Sequence, residues 1–163
     1  MTHTQIYFIR HSFANWPSWP GNDADRPLTS EGFRRWEAAA AKLAHRLAQE
    51  KVAPDFVLHS PLLRAAQTAD ILARHLRLED KLTAHRLLQP GFNAKALKNL
   101  LKEFAHHHAL VCVGHAPDMG EVVMAVTERP VTFREGTVAC VKLRSAERGS
   151  LQWTATIDEL AGE

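Results

Sequence analysis

Short apolar runs alternate along this chain with longer stretches whose apolar positions recur at steps of three and four. The first kind of pattern predicts buried strands and the second predicts helices with one buried face. Ile6 to Ile9 reads as a buried strand. The segment after it carries Pro17, Pro20, Gly21 and Pro27 and is too rich in breakers to be regular. Thr29-Ser30-Glu31 starts a helix with a hydroxyl cap and an early acid, and Phe33, Trp36, Ala40, Leu43 and Leu47 share its buried face. Asp55 to His59 reads as a second strand. Ser60-Pro61 then predicts a helix cap followed by proline at the first helical position. Leu62, Ala65, Ala66, Ala69, Leu72, Ala73 and Leu76 form the stripe of that helix. Thr83 to Leu88 predicts a short strand, broken by Pro90-Gly91. Leu97, Leu100, Leu101 and Phe104 mark a third helix, and Ala109 to Val113 a strand ending in Gly114-His115. Met119, Val122, Val123 and Val126 mark a fourth helix. Val138 to Leu143 and Leu151 to Ile157 predict an antiparallel pair around Arg148-Gly149-Ser150.

This alternation predicts a three-layer α/β/α domain over residues 1–163, with a largely parallel central sheet and an antiparallel C-terminal strand pair. No repeat or linker interrupts it. In such sheets ligands bind beyond the carboxyl ends of the strands. Arg10-His11, Ser60 to Arg64 and Gly114-His115 each follow an apolar strand. If those strands are parallel, the three groups meet at one end of the sheet.

Composition narrows the function classes. The 163 residues are 45% hydrophobic and 23% charged, as in an ordinary soluble globular protein. A net charge of +2 without any Lys/Arg run argues against a nucleic-acid partner. No apolar stretch is long enough to cross a membrane, and the N-terminal apolar run is too short for a signal peptide, so a cytoplasmic protein is expected, most simply a monomer. Cys112 and Cys140 lie in apolar strand-like segments and read as small buried hydrophobes. No cofactor motif or metal-ligand spacing is recognised. His106-His107-His108 cannot all face one ion and reads as a solvated helix end.

The convergent residues suit phosphoryl chemistry. His11 offers a nucleophilic imidazole, Arg10 and Arg64 offer planar forks for oxyanions, and His115 adds a further donor. Arg64 falls in the first turn of its helix, where free N–H groups add positive potential. Together these residues would neutralise and orient a dianionic phosphoryl group. Arg10-His11-Ser12, the segment Ser60-Pro61-Leu62-Leu63-Arg64-Ala65-Ala66-Gln67-Thr68 and the late Gly114-His115 resemble the histidine phosphatase superfamily. Asp25-Arg26-Pro27-Leu28-Thr29 followed by Glu31-Gly32 is similar to its short bacterial SixA-type branch, the protein phosphohistidine phosphatases. The resemblance implies that His11 accepts the phosphoryl group covalently and that water then hydrolyses it. Arg10, Arg64 and His115 would hold the oxygens, and Arg26 would sit at the pocket rim. It also implies a backbone carbonyl holding the other nitrogen of His11. Ser12 replaces the usual Gly of the family, and its hydroxyl is a further candidate donor to the substrate.

Relatives that cleave alkyl phosphates protonate the leaving oxygen with a carboxylic acid, usually supplied before the third helix. Here Leu87-Leu88-Gln89-Pro90-Gly91-Phe92-Asn93 holds no carboxylate. Asp118 is the nearest acid, although an early-turn helix acid is the simpler reading of it. Lacking an acid, the site favours a leaving group that departs readily, such as imidazole, whose ordinary pKa is about 6.5. The leading expectation is therefore a metal-independent phosphatase for phosphohistidine on a phosphotransfer-type protein, as in a signalling relay. A phosphatase for a small phosphate ester or anhydride and a non-catalytic phosphoprotein-binding module are the alternatives. Phe13, Trp16 and Trp19 form either a substrate-contacting lip or loop packing. His59 reads as structural, and Thr68 as a support for Arg64.

Overall fold

The computed structural model describes residues 4–162. A six-stranded sheet runs through the middle of the molecule in the order β3-β2-β4-β1-β5-β6. The strands are β1 (Thr4–Arg10), β2 (Phe56–His59), β3 (Leu82–Ala84), β4 (Ala109–Gly114), β5 (Val138–Leu143) and β6 (Gly149–Ala155). β3, β2, β4 and β1 are mutually parallel, and β5 pairs antiparallel with both β1 and β6. This is the expected mostly parallel sheet with an antiparallel C-terminal pair.

Five helices cover the sheet: α1 (Ser30–Gln49), α2 (Leu63–Leu76), α3 (Ala94–Glu103), α4 (Asp118–Thr127) and α5 (Ile157–Ala161). Strand periodicity divides the core between the two faces. Tyr7 and Ile9 of β1 pack with Trp36, Leu43 and Leu47 of α1 and Leu72 of α2. Ile6 and Phe8 pack with Leu97 and Leu100 of α3 and Met119 and Val123 of α4. Central β1 is covered on both sides, so its sequence is continuously apolar rather than alternating. Cys112 and Cys140 are free and buried. None of the described helices is long and apolar enough to cross a membrane.

Several local expectations need correction. Phe33 is 39% exposed, and the buried face of α1 runs instead through Gly32, Trp36, Ala39, Ala40, Leu43 and Leu47. Ser60 does not cap α2. That helix begins at Leu63, with Leu62 as an N-cap that makes no side-chain bond. The expected strand over Thr83–Leu88 is only β3 followed by a 3-10 turn at Arg86–Leu88, because His85 accepts the Leu87 N–H and turns the chain. The β5–β6 turn lies at Arg144–Arg148, so Gly149 and Ser150 already belong to β6. Ile157 opens α5, which Thr156 and Glu159 secure with a reciprocal capping box. The breaker-rich loop holds one 3-10 turn, Asp23–Asp25, capped by Asn22.

Candidate active site

Strand register brings the chemistry together. Arg10 pairs with Gly114 across β1 and β4, and His59 pairs with Val113 across β2 and β4. His11, Ser60 and His115 therefore each stand one residue beyond the ladder, at the carboxyl end of the sheet. Backbone bonds extend the ladder to them: His11 N–H donates to Gly114 O at 3.0 Å and Ser60 N–H to Val113 O at 3.0 Å. On the other edge of β1, Gly136 N–H donates to Arg10 O at 3.0 Å. Gly136 has φ +75°, and a Cβ there would lie 2.9 Å from Ile157 Cδ1, so glycine suits this position on two counts. A cavity of about 450 Å³ opens at this edge, with Arg10, His11, Arg26, Arg64 and His115 in its wall. Five of the six expected side chains thus share one pocket.

The nucleophile candidate is held by its neighbour. His11 Nδ1 lies 2.7 Å from Ser12 O. A carbonyl only accepts, so Nδ1 carries the proton and Nε2 keeps its lone pair. Burial, with the charges of Arg64 and Arg10 and the neighbouring His115, lowers the His11 pKa to about 3 despite the Ser12 bond. The imidazole is therefore neutral at neutral pH. His115 packs edge-on against it, ring centres 5.3 Å apart. Burial and Arg64 lower the His115 pKa to about 4.

The two inner arginines are each pinned through their Nη atoms, with Nε left unpaired. Arg10 Nη1 donates to Phe133 O at 3.0 Å and lies 3.6 Å from Glu135 Oε1. Arg64 Nη1 donates to Asp23 O at 2.9 Å, and its Nη2 to Asp23 Oδ2 at 3.2 Å. The Nε atoms of both are buried without a hydrogen-bond partner. Such donors cost roughly 1–3 kcal/mol each when unsatisfied, which marks a place prepared for an oxyanion. Burial and the nearby Arg26 lower the Arg64 pKa from its ordinary value. Burial raises the Asp23 pKa, but Arg64 and Arg26 outweigh it and hold the carboxyl below the usual carboxylate range. Arg26 donates from Nε to Asp23 Oδ1 at 3.2 Å and from Nη1 to Ala14 O.

Ser12 is a correction. Its hydroxyl is fully buried and donates to Gly32 O at 2.9 Å, so it faces α1 and not the pocket. Thr68 accepts the Ser12 N–H at 3.0 Å and donates to Arg64 O at 2.8 Å. It ties the loop after His11 to α2 and leaves the Arg64 guanidinium untouched. A Cβ on Gly32 would stand 2.1 Å from Phe13 O, so only glycine lets α1 approach this loop. Trp16 and Trp19 stack on each other at 5.5 Å and donate to Pro27 O and Asn22 O, which is loop packing. His59 donates from Nδ1 to Ser60 O at 2.7 Å and plays the structural part expected of it. His107 packs edge-on against Phe56.

Two features escaped the sequence reading. The expected acid-bearing segment does lack a carboxylate, yet Asp23 and Glu135 line the pocket beside Asp118, the acid the sequence offers as nearest. Asp23 and Glu135 come from separate loops, so no local motif announces them. The other is Ser60, whose Oγ accepts the Leu62 N–H at 3.2 Å and lies 2.8 Å from His115 Nε2. With the hydroxyl proton aimed at Nε2, Nδ1–H is the free donor of His115. Ser60→Ala should lower kcat about tenfold, the scale of one hydrogen bond of roughly 1.4 kcal/mol, with little change in KM. Steady-state kinetics on an aryl phosphate check this, and an unchanged kcat refutes it.

Comparison with known proteins agrees with the geometry. Residues 6–89 match the histidine phosphatase superfamily, branch 1. An uncharacterized protein of Picosynechococcus is 38% identical over 124 residues, 75% of this chain and 72% of that one. Phosphohistidine phosphatase SixA of Escherichia coli is 26% identical over 153 residues, 91% of each chain. A structure of the protein histidine phosphatase SixA complexed with tungstate superposes with a TM-score of 0.83 at 25% identity, covering 96% of this chain and 99% of that one. The chain belongs to the histidine phosphatase superfamily, branch 1, and within it to the SixA-type phosphatases.

Proposed function

We propose that the protein hydrolyses phosphohistidine on a phosphotransfer-type protein substrate through a covalent phosphoenzyme on His11. The observation that carries the proposal is the His11 Nδ1–Ser12 O bond of 2.7 Å, which presents Nε2 as a neutral nucleophile beside two unsatisfied guanidinium N–H groups. In the first step the Nε2 lone pair attacks phosphorus, and the P–N bonding pair departs with the substrate imidazole. In the second step water attacks phosphorus, the P–Nε2 bond breaks, and phosphate leaves. Arg10, Arg64 and His115 hold the equatorial oxygens throughout, with Arg26 at the rim. The arginines supply the charge that a metal supplies elsewhere, and His115 adds a neutral N–H donor. The tungstate bound to the SixA neighbour is an oxyanion of the same kind.

A second reading is a phosphatase for small phosphate esters, favoured by the pocket carboxyl Asp118, which is not paired with an arginine and in its protonated form is a potential proton donor to an alkoxide. The deciding experiment is phosphate release in EDTA from a histidine-phosphorylated phosphotransfer protein, with a sugar phosphate and an aryl phosphate alongside. The expected result is EDTA-resistant release with the highest kcat/KM on phosphohistidine. Release confined to the esters supports the second reading, and tight binding without turnover points to a binding module.

A further inference from the structure

The three pocket carboxylates are not equivalent. Asp23 gives Oδ1 to Arg26 and Oδ2 to Arg64, both at 3.2 Å. Glu135 faces Arg10 at 3.6 Å. Asp118 alone of the three is not paired with an arginine. It opens α4 just after His115, and the Met119 N–H donates back to His115 O at 3.0 Å, which fixes the two residues relative to each other. Asp118 Oδ2 accepts the Gly91 N–H at 2.8 Å, and among the described hydrogen bonds its other oxygen has no partner. The arginines of this pocket are thus cationic and two of its carboxylates are paired with them, while one carboxylate oxygen in its wall is uncommitted.

We infer that Asp118 selects the leaving group: its free carboxylate oxygen receives the N–H of the substrate imidazole, on the ring nitrogen remote from phosphorus. This deepens the phosphohistidine reading and rests on it. An imidazole of ordinary pKa about 6.5 is largely neutral above pH 7. A carboxylate at its remote nitrogen favours the protonated ring, in which the P–N bond is the easier to break. When that bond breaks, its electron pair passes to the ring, which leaves as neutral imidazole still carrying the remote N–H. Phosphorus is then bonded to His11 Nε2, and the cationic His11 ring has its Nδ1–H on Ser12 O. The positive charge has moved from one ring to the other, with an oxygen acceptor waiting at each. An ester gains nothing from Asp118 in this ionised form, because its leaving oxygen develops negative charge that a carboxylate opposes.

Asp118→Asn tests this. The amide oxygen still accepts the Gly91 N–H, so the loop contact survives while the charge goes. The measurement is kcat/KM at pH 7.5 on N-phosphoimidazole and on an aryl phosphate, with melting temperatures to certify folding. The ratio of the two values should fall at least tenfold in Asp118→Asn. In Glu135→Gln, which removes the same charge beside Arg10, the ratio should stay within threefold. An unchanged ratio in Asp118→Asn overturns the inference and leaves the phosphohistidine reading standing. An equal fall in Glu135→Gln also overturns it, by assigning the effect to overall pocket charge. A wild-type enzyme that cleaves the aryl phosphate but not N-phosphoimidazole overturns both. If Asp118→Asn unfolds, Asp118→Ser carries the same comparison.

Discussion

His11→Ala should abolish turnover, by a factor on the order of 10^4 or more, because the covalent step loses its neutral, oriented imidazole. Among the described residues the other imidazole of the pocket wall is His115, and the bond between its Nε2 and Ser60 Oγ commits that nitrogen. The variant should also gain no mass when mixed with phosphorylated substrate and quenched, whereas wild type gains one phosphoryl group. Residual labelling of His11→Ala would move the nucleophile elsewhere. The same substitution has a stability signature. The folded-state pKa of His11 is lowered from 6.5 to about 3, so between those values the unfolded chain binds a proton that the folded chain refuses. Stability then rises with pH through this window and falls on acidification. His11→Ala removes that term, so it should lose less stability than wild type between pH 7 and pH 4, by up to on the order of 3 kcal/mol. Urea titrations at the two pH values read the difference. His115 contributes in the same direction between 6.5 and about 4, so the variant retains part of the acid sensitivity.

How much of this was legible in the sequence follows from how local each signal is. The run Ile6–Ile9 and the helical stripes report burial, which the sheet and its two helix layers then realise, so element type and order could be read directly. Convergence of Arg10, His11, Arg64 and His115 needed only the rule that parallel strands share a carboxyl end. Side-chain direction is a different matter. Ser12 follows the nucleophile in sequence, yet its hydroxyl points to Gly32 because α1 closes on that loop through a position where no Cβ fits. Ser60 read as a helix cap, and the structure gives its hydroxyl to His115, a partner 55 residues away. Two of the pocket carboxylates were illegible for the same reason. Asp118 stood out by following His115, but Asp23 and Glu135 have no spacing to any motif, and only packing brings them to the same wall.

Arg64→Ala should lower kcat/KM on any phosphoryl substrate about 10^3-fold, near the upper end for deleting one preorganised donor to a developing oxyanion. The loss is large because Arg64 is only 6% exposed and its charge acts where little water can replace it. The fold should tolerate the change. The deleted Nε is one of the two buried donors that lack a partner, and the surviving Arg26 still pairs with Asp23. Two opposing terms thus set the melting temperature: a cavity and lost Asp23 bonds against relief of an unsatisfied buried donor. They should leave it within a few degrees of wild type. Arg64→Lys should rescue little, since an ammonium gives a point charge in place of a fork whose Nη atoms anchor on Asp23 while Nε stays free. Vanadate binding by calorimetry separates the two roles of the residue. Lost anion affinity in a folded protein places Arg64 on the phosphoryl oxygens, and a variant that binds vanadate and turns over like wild type removes it from the site.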